Sequence, residues 1–179
     1  MQKYIALLRG INVGGKNIVS MPLLKAVFEA AGFYNVSTYI NSGNLFFSSY
    51  DTDMLVLQQR CVQLIAENFK LNIPVAVISS NALTEALGNA PEWWDRTENC
   101  KHNAIFVIAP VTAEAMVKEI GEIKPEYEQL DNYGQVIFWS APIATFSRTR
   151  LSKFVSATSC ASITIRNANT TKKLLQLSK

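Results

Sequence analysis

The chain has 179 residues, of which 49% are hydrophobic, enough apolar material for one well-buried domain or two small domains. Its 17 basic and 14 acidic residues give a net charge of only +3, so the composition excludes a disordered chain and lacks the strongly basic character of a dedicated nucleic-acid-binding protein. The apolar run before Arg9 is too short for a signal peptide or a membrane span, and we expect a soluble cytoplasmic protein with no membrane association.

The first half of the chain alternates between strand and helix patterns. Continuous apolar or β-branched runs predict strands, and apolar residues at helical spacing predict helices. The predicted strands are 4–8, 36–40, 45–48 and 75–79, and the predicted helices are 21–31 and 53–69. This order of strand, helix, strand, strand, helix and strand is typical of the ferredoxin-like βαββαβ fold.

The second half repeats this order. Strands are predicted at 104–109, 127–130, 136–139 and 162–166, and helices at 112–120, at 152–158 and from Asn169 or Thr170 to 177. The pattern therefore predicts an α+β protein in which two ferredoxin-like subdomains, 1–80 and 104–179, are packed together and end in a C-terminal helix. The connector, 81–103, contains a short helix ending at Gly88 and the pair Trp93 and Trp94, at least one of which we expect to be buried.

A glycine-rich turn follows the first predicted strand, between Arg9 and Asn17. Its glycines allow positive φ, its amides could form an anion-binding nest, and the predicted topology brings it to the same sheet edge as the hairpin 41–44. We expect Asn12 and Asn17 to fix the turn by hydrogen bonds while Arg9 and Lys16 face an open cleft. The predicted ligand-binding residues are Arg9, Gly10, Asn12, Gly14, Gly15, Lys16, Asn17, Tyr39, Asn41, Ser42, Gly43 and Asn44.

A second polar cluster is predicted in the second half of the chain. The segments 147–153 and 166–170 carry four cations and are expected side by side at one sheet edge, where two helix N-termini favour an anion. The predicted ligand-binding residues are Ser152, Lys153, Arg166, Asn167, Asn169 and Thr170. The alternative is that Ser152 and Thr170 only cap helices and the arginines are solvated.

No motif identifies a reaction. The glycine turn does not match a phosphate-binding P-loop, because Asn17 stands where the hydroxyl residue should follow Lys16, and its spacing does not fit a Rossmann fingerprint. Neither polar cluster contains a carboxylate that could act as a general base. The sequence therefore leaves open whether the protein is an enzyme.

The cysteines do not indicate a metal site or a disulfide framework. Cys61, Cys100 and Cys160 are widely spaced and odd in number, so we interpret them as packing residues. His102 lies two residues after Cys100, but no third group is evident to orient the pair, and we interpret it as a strand-edge residue. The sequence predicts no metal and no cofactor, and it gives no oligomeric state.

Several motifs resemble those of a bacterial family catalogued as domain of unknown function 1697. They are Tyr4 to Asn17, Met21, Thr38 to Asn44, Ser152-Lys153 and Arg166 to Thr170. The family's usual pattern has glutamine at the position of Asn41 and tryptophan at that of Ala168. The resemblance covers nearly the whole chain and implies an α+β fold of two ferredoxin-like subdomains, but it implies no activity.

The sequence motifs are compatible with two different functions. The density of glycine, asparagine and cations predicts binding of a small anionic or phosphorylated ligand between the two subdomains. The alternative is a nucleic-acid-binding module that uses a ferredoxin-like sheet surface, for which Phe46 and Phe47 would supply aromatic rings. The low net charge and the lack of an RNA-binding glycine-aromatic signature disfavour it. A third interpretation is that the motifs only fix turns.

Overall fold

The structure is a computed structural model that describes residues 1–156 and 161–179. The chain forms two compact units, of which the first comprises Met1–Leu83 and Leu174–Lys179 and the second comprises Thr84–Lys173. No helix in the described residues is both long and apolar enough to cross a membrane.

The elements follow the predicted order. In the first half they are β1 (Gln2–Leu8), α1 (Met21–Ala30), β2 (Tyr34–Tyr39), β3 (Asn44–Ser49), α2 (Met54–Phe69), β4 (Val75–Ser79) and α3 (Ser80–Gly88). In the second half they are β5 (Cys100–Val107), α4 (Ala113–Ile120), β6 (Gln129–Tyr133), β7 (Val136–Pro142), a 3₁₀ helix (Ile143–Arg148), α5 (Arg150–Ser156), β8 (Ile163–Asn167) and α6 (Ala168–Ser178).

Each unit contains one four-stranded antiparallel sheet. The strand orders are β2-β3-β1-β4 and β6-β7-β5-β8, so the first and third strands of each set are central. A βαββαβ chain reaches this order when both crossovers are right-handed. The predicted α+β class with two ferredoxin-like sheets is therefore confirmed.

The core of the first unit lies between its sheet and the helices α1 and α2. Ser20 caps α1 by accepting a hydrogen bond from the Leu23 amide, and the helix buries Leu24 and Phe28. The Phe28 ring lies 6.3 Å from the ring of Phe47 on β3. Alternation along β3 therefore directs Phe47 toward the helices and its neighbour Phe46 toward the opposite face of the sheet.

The core of the second unit is built in the same way. Ile105 and Ile137 on the central strands pack with Met116 of α4. The connector tryptophan Trp94 is buried, its indole N–H donates to the Asn103 carbonyl at 2.8 Å, and its ring lies 5.1 Å from that of Phe138. The expected burial of a connector tryptophan is therefore confirmed.

Several predicted boundaries were wrong where polar residues continue a strand. β5 begins at Cys100, because Lys101 and His102 remain paired with β7 despite their polarity. β6 runs to Tyr133, because an edge strand tolerates polar residues and the turn lies at 134–135. The predicted helix 152–158 begins at Arg150 and is described to Ser156, and residues 157 and 158 lie outside the described residues.

Candidate functional site

The structure brings the glycine-rich turn and the β2–β3 hairpin together, as the topology predicts. The Leu8 amide donates to the Gly43 carbonyl at 2.8 Å. Asn12 Nδ2 donates to the Asn41 carbonyl at 2.9 Å. We call residues 9–17 and 39–44 together the glycine loop region.

Asn12 and Asn17 fix the turn, which confirms that expectation. Asn12 Nδ2 also donates to the Val19 carbonyl at 2.9 Å, and its Oδ1 accepts from the Val19 amide at 2.8 Å. Asn17 Nδ2 donates to the Gly10 carbonyl at 3.0 Å. Both residues have positive φ, 54° and 48°, a conformation that asparagine adopts more readily than other non-glycine residues.

The tip of the turn is a small hairpin. The Lys16 amide donates to the Val13 carbonyl at 3.0 Å, and Gly14 and Gly15 both have positive φ, as a two-residue type I′ turn requires. The tip therefore accounts for both glycines without a ligand. Lys16 is exposed and Arg9 is partly buried, and their role in binding remains a prediction.

The hairpin side of the region is tightly constrained. Asn44 is fully buried and its Nδ2 donates to the Tyr39 carbonyl and to Ser42 Oγ, both at 3.1 Å. Gly43 has a φ of 81°, and a Cβ added there would lie 2.8 Å from Leu8 Cβ. Ile40 also has a positive φ, 49°, which is strained for a β-branched side chain. No sequence signal pointed to Ile40.

Three residues of the second predicted cluster line two different clefts of the second unit. Lys153 lines a cleft of about 360 Å³ with Lys124, Arg148 and Arg150. Asn167 and Asn169 line another of about 470 Å³. The structure therefore does not place Lys153 and Asn167 in a common cleft among those it describes.

A carboxylate of the protein itself occupies the N-terminus of α5. Glu128 is 2% exposed, and its oxygens accept from the Arg150 amide at 2.6 Å, the Leu151 amide at 3.3 Å and the Trp139 indole N–H at 3.1 Å. The expectation that no carboxylate lies in either cluster was therefore wrong. Glu128 precedes β6, far from α5 in sequence, so the local pattern does not reveal it.

The helix caps also differ from those expected. Thr149 Oγ1 accepts from the Ser152 amide at 3.1 Å, so Ser152 is inside the first turn of α5. Asn167 Oδ1 accepts from the Thr170 amide at 2.8 Å and caps α6, so the predicted caps at Asn169 and Thr170 were wrong. These caps satisfy amides that an external anion would otherwise bind.

Arg166 is not a solvated cation, in contrast to the alternative interpretation of this cluster. It is 8% exposed, and its Nη1 donates to Thr164 Oγ1 at 2.9 Å and to the Ile165 carbonyl at 2.8 Å. Burial lowers the pKa of the Arg166 guanidinium from 12.5 to about 10. Its hydrogen bonds and burial make it part of the sheet.

We call the cleft around Arg150 the basic cleft, and its lining is Glu122, Lys124, Tyr127, Glu128, Arg148, Arg150 and Lys153. Arg150 Nε donates to the Ile120 carbonyl at the end of α4, and its guanidinium lies over Gly121, where an added Cβ would be 3.0 Å from Nη2. Arg148 and Lys153 are exposed. Because Glu128 is saturated by internal donors, the exposed lining is predominantly cationic.

The cysteines and His102 give no sign of a reactive pair. His102 Nε2 donates to the Thr97 carbonyl at 2.8 Å, and Nδ1 lies 2.6 Å from Ser140 Oγ, so both ring nitrogens are engaged by the protein. Burial raises the pKa of the Cys61 thiol to about 12, and Cys160 lies outside the described residues. Within the described residues, no three His, Cys, Asp or Glu side chains lie close enough to hold a metal ion.

The aromatic residues of β3 are buried. Phe46 is 7% exposed and Phe47 is 1% exposed. Phe47 packs against Phe28 and Phe33 in the core, so it offers no ring face on which a base could stack.

Comparison with known proteins agrees with the resemblance seen in the sequence motifs. Residues 1–138 match the family described as "Protein of unknown function (DUF1697)". The conserved bacterial protein SP0830 from Streptococcus pneumoniae is similar in structure, with 30% sequence identity, a TM-score of 0.86 and 99% of each chain covered. The comparisons therefore support the bacterial origin that the resemblance implies.

A weaker likeness links the chain to the first two RRM domains of the yeast poly(U)-binding protein Pub1. It covers 93% of this chain and 99% of that one at 11% identity, and its TM-score of 0.23 supports no conclusion. No protein with curated annotation matches the sequence. The match over residues 1–138 shows that the chain belongs to the DUF1697 family, whose function is unknown.

Proposed function

We propose that the protein binds a small anionic ligand, of the kind that carries a phosphate group, in the basic cleft of its second unit. The observation that carries the proposal is that four cationic side chains, those of Lys124, Arg148, Arg150 and Lys153, line one cleft of about 360 Å³. A cleft of this size accommodates a small metabolite. The sequence analysis expected the ligand between the subdomains, and the proposal places it within one unit.

The charge of the lining supports an anion. Both oxygens of Glu128 accept internal hydrogen bonds, so its charge is already stabilised by α5 and the Trp139 indole. Glu122 is the other acidic residue of the lining. Four cations against two carboxylates leave an excess of positive charge in a concave surface, where opposite charges attract most effectively.

The arrangement of Arg150 supports a preorganised site. Its Nε is held by the Ile120 carbonyl, so its guanidinium is fixed in the cleft before a ligand arrives. Arginine that is already ordered loses less side-chain entropy on binding an anion. Arg148 and Lys153 are exposed and provide cations that can adjust to the ligand.

Isothermal titration calorimetry of the full chain with inorganic pyrophosphate and with ADP tests the proposal. We expect binding to weaken as ionic strength rises, because exposed charges are screened. The double variant Arg148→Ala/Lys153→Ala should bind about tenfold more weakly, the loss expected when two solvent-exposed charge pairs are removed. The charge-matched control, Lys16→Ala/Lys25→Ala in the first unit, should bind like the parent.

Three results would contradict the proposal. One is that neither pyrophosphate nor ADP binds, and another is that the Arg148→Ala/Lys153→Ala variant binds like the parent. The third is that a single-stranded oligonucleotide binds more tightly than either small anion and that the Arg148→Ala/Lys153→Ala variant retains that binding. The last result would favour the nucleic-acid alternative.

A further inference from the structure

The first unit has a cleft of its own, of about 350 Å³, on the face of the sheet opposite the helices α1 and α2. Phe46, Lys3, Ser37 and Ser48 are among the residues that line it. We call it the aromatic cleft. No residue of the basic cleft takes part in it, so the inference below does not rest on the proposed function.

The strand register explains how these side chains meet. Ser37 on β2 is directly opposite Phe46 on β3, and Lys3 on β1 is directly opposite Ser48. Directly opposed residues, and residues two apart on one strand, present their side chains on the same face. Lys3, Ser37, Phe46 and Ser48 therefore share one face of the sheet.

The end of α6 closes one side of the aromatic cleft. Leu177, which is 45% exposed, and Ser178 belong to its lining. The helix end is held by two hydrogen bonds, since the Ser178 carbonyl accepts from Ser80 Oγ at 3.0 Å and the main-chain oxygen of Lys179 accepts from Lys3 Nζ. The lining thus contains a second apolar side chain besides that of Phe46.

A bulge in β2 shapes the other side. The register between β2 and β3 shifts between Tyr34 and Ser37, and Asn35 within the bulge has a φ of 51°. Asn35 Nδ2 donates to Ser48 Oγ at 3.4 Å. Bulges redirect side chains at sheet edges, and this one brings an amide and a hydroxyl to the rim of the cleft.

We infer that the aromatic cleft binds a small molecule with a flat apolar body and a carboxylate head. The apolar body would lie against Phe46 and Leu177, and the carboxylate would accept from the Lys3 ammonium and from the serine hydroxyls. An ammonium has three N–H donors, of which Lys3 gives one to the main-chain oxygen of Lys179.

Size and charge both support this ligand class. The volume, about 350 Å³, lies in the range of small-molecule sites, which combine an apolar lining with a few convergent polar groups. The lining contains Lys3 and no aspartate or glutamate. The sequence from 1 to 28 is also without an acidic residue, so nothing on β1 or the turn that follows it repels a carboxylate.

NMR titration of the isotopically labelled full chain with 2-naphthoate and with its neutral analogue 2-naphthamide tests the inference. We expect 2-naphthoate to perturb amides of β1, β2, β3 and the end of α6, and to bind about tenfold more tightly than 2-naphthamide, since only the carboxylate pairs with Lys3. Lys3→Gln should abolish this difference between the two compounds. Lys25→Gln, which removes an exposed lysine of α1, should preserve it.

A second variant tests the shape of the cleft. Ser37→Leu adds an apolar side chain at an exposed position of the edge strand and should weaken binding of both compounds by about tenfold or more through steric exclusion. The inference is overturned if 2-naphthoate does not bind, if Lys3→Gln leaves its preference over 2-naphthamide unchanged, or if its perturbations lie at Lys124, Arg148 and Lys153. The last result would assign the carboxylate to the basic cleft instead.

Discussion

In the glycine loop region the polar side chains hydrogen-bond to the protein's own backbone. In the basic cleft, by contrast, one carboxylate accepts the hydrogen bonds of the α5 N-terminus, and cationic side chains line the cleft with it. Asn12 alone makes three hydrogen bonds to the Val19 and Asn41 backbone. Glu128 accepts hydrogen bonds from two amides of α5, while Arg148 and Lys153 stay exposed. Residues that look alike in sequence thus serve loop geometry in one region and are available to a ligand in the other.

The largest loss of stability is expected at the β2–β3 hairpin of the glycine loop region. Gly43→Ala should lower the free energy of unfolding by about 3 kcal/mol or more, because it combines a left-handed backbone with a close approach to Leu8 and Ile11. Gly14→Ala is the control, since Gly14 has a positive φ but nothing within 4 Å of an added Cβ. It should cost only about 1–2 kcal/mol. Equal losses in urea denaturation would show that packing at Gly43 is unimportant.

The next largest loss of stability is expected at Glu128, in the lining of the basic cleft. Glu128→Ala removes the acceptor of two amides and an indole N–H and should destabilise the protein by about 2–3 kcal/mol. Glu122→Ala changes an exposed residue of the same cleft and should cost less than about 0.5 kcal/mol. Thermal or urea unfolding measures both. A Glu128→Ala variant as stable as the Glu122→Ala control would mean that Glu128 does not hold α5.

A smaller loss is expected at the turn itself. Asn12→Ala removes three hydrogen bonds at a partly buried site and should cost about 1–2 kcal/mol. Lys16→Ala, in the same turn, should leave the midpoint of unfolding nearly unchanged because the Lys16 side chain is exposed. If Lys16→Ala were the more damaging change, the cation rather than the amide would be the structural element of the turn.

The smallest effect on stability is expected for the exposed cations of the basic cleft. Lys153→Ala should change the free energy of unfolding by less than about 0.5 kcal/mol, as is usual for surface substitutions. Arg166→Ala, which removes a buried side chain with hydrogen bonds to Thr164 and Ile165, should cost about 1–3 kcal/mol. Comparable melting temperatures for the two variants would contradict the distinction between a ligand-facing cation and a buried one.

The fold was largely predictable because hydrophobic periodicity can be read from local sequence and because crossovers between parallel strands are right-handed as a rule. Alternating and helical apolar patterns predicted both βαββαβ orders, and the handedness rule predicted the contact between the turn after β1 and the β2–β3 hairpin. The early start of β5 was missed, because its first residues are polar and are held in the strand by pairing with β7. The local sequence pattern does not show pairing between strands that are distant in sequence.

The candidate site was less predictable because its members are distant in sequence. The cluster expected around Lys153 and Arg166 was inferred from element ends, which fix the sheet edge but not the direction or burial of a side chain. Glu128 reaches the N-terminus of α5 across the unit, and Arg166 is buried within its strand. Lys124 was not a candidate at all, because it precedes β6 in a segment with no motif. Only three-dimensional packing joins these residues.

The central claim is that an anion binds at the basic cleft and not at the glycine loop region. The most direct test is an NMR titration of the isotopically labelled full chain with inorganic pyrophosphate, followed residue by residue. We predict chemical-shift changes concentrated around Lys124, Arg148 and Lys153. Changes confined to residues 9–17 and 39–44, or no saturable change anywhere, would contradict the account.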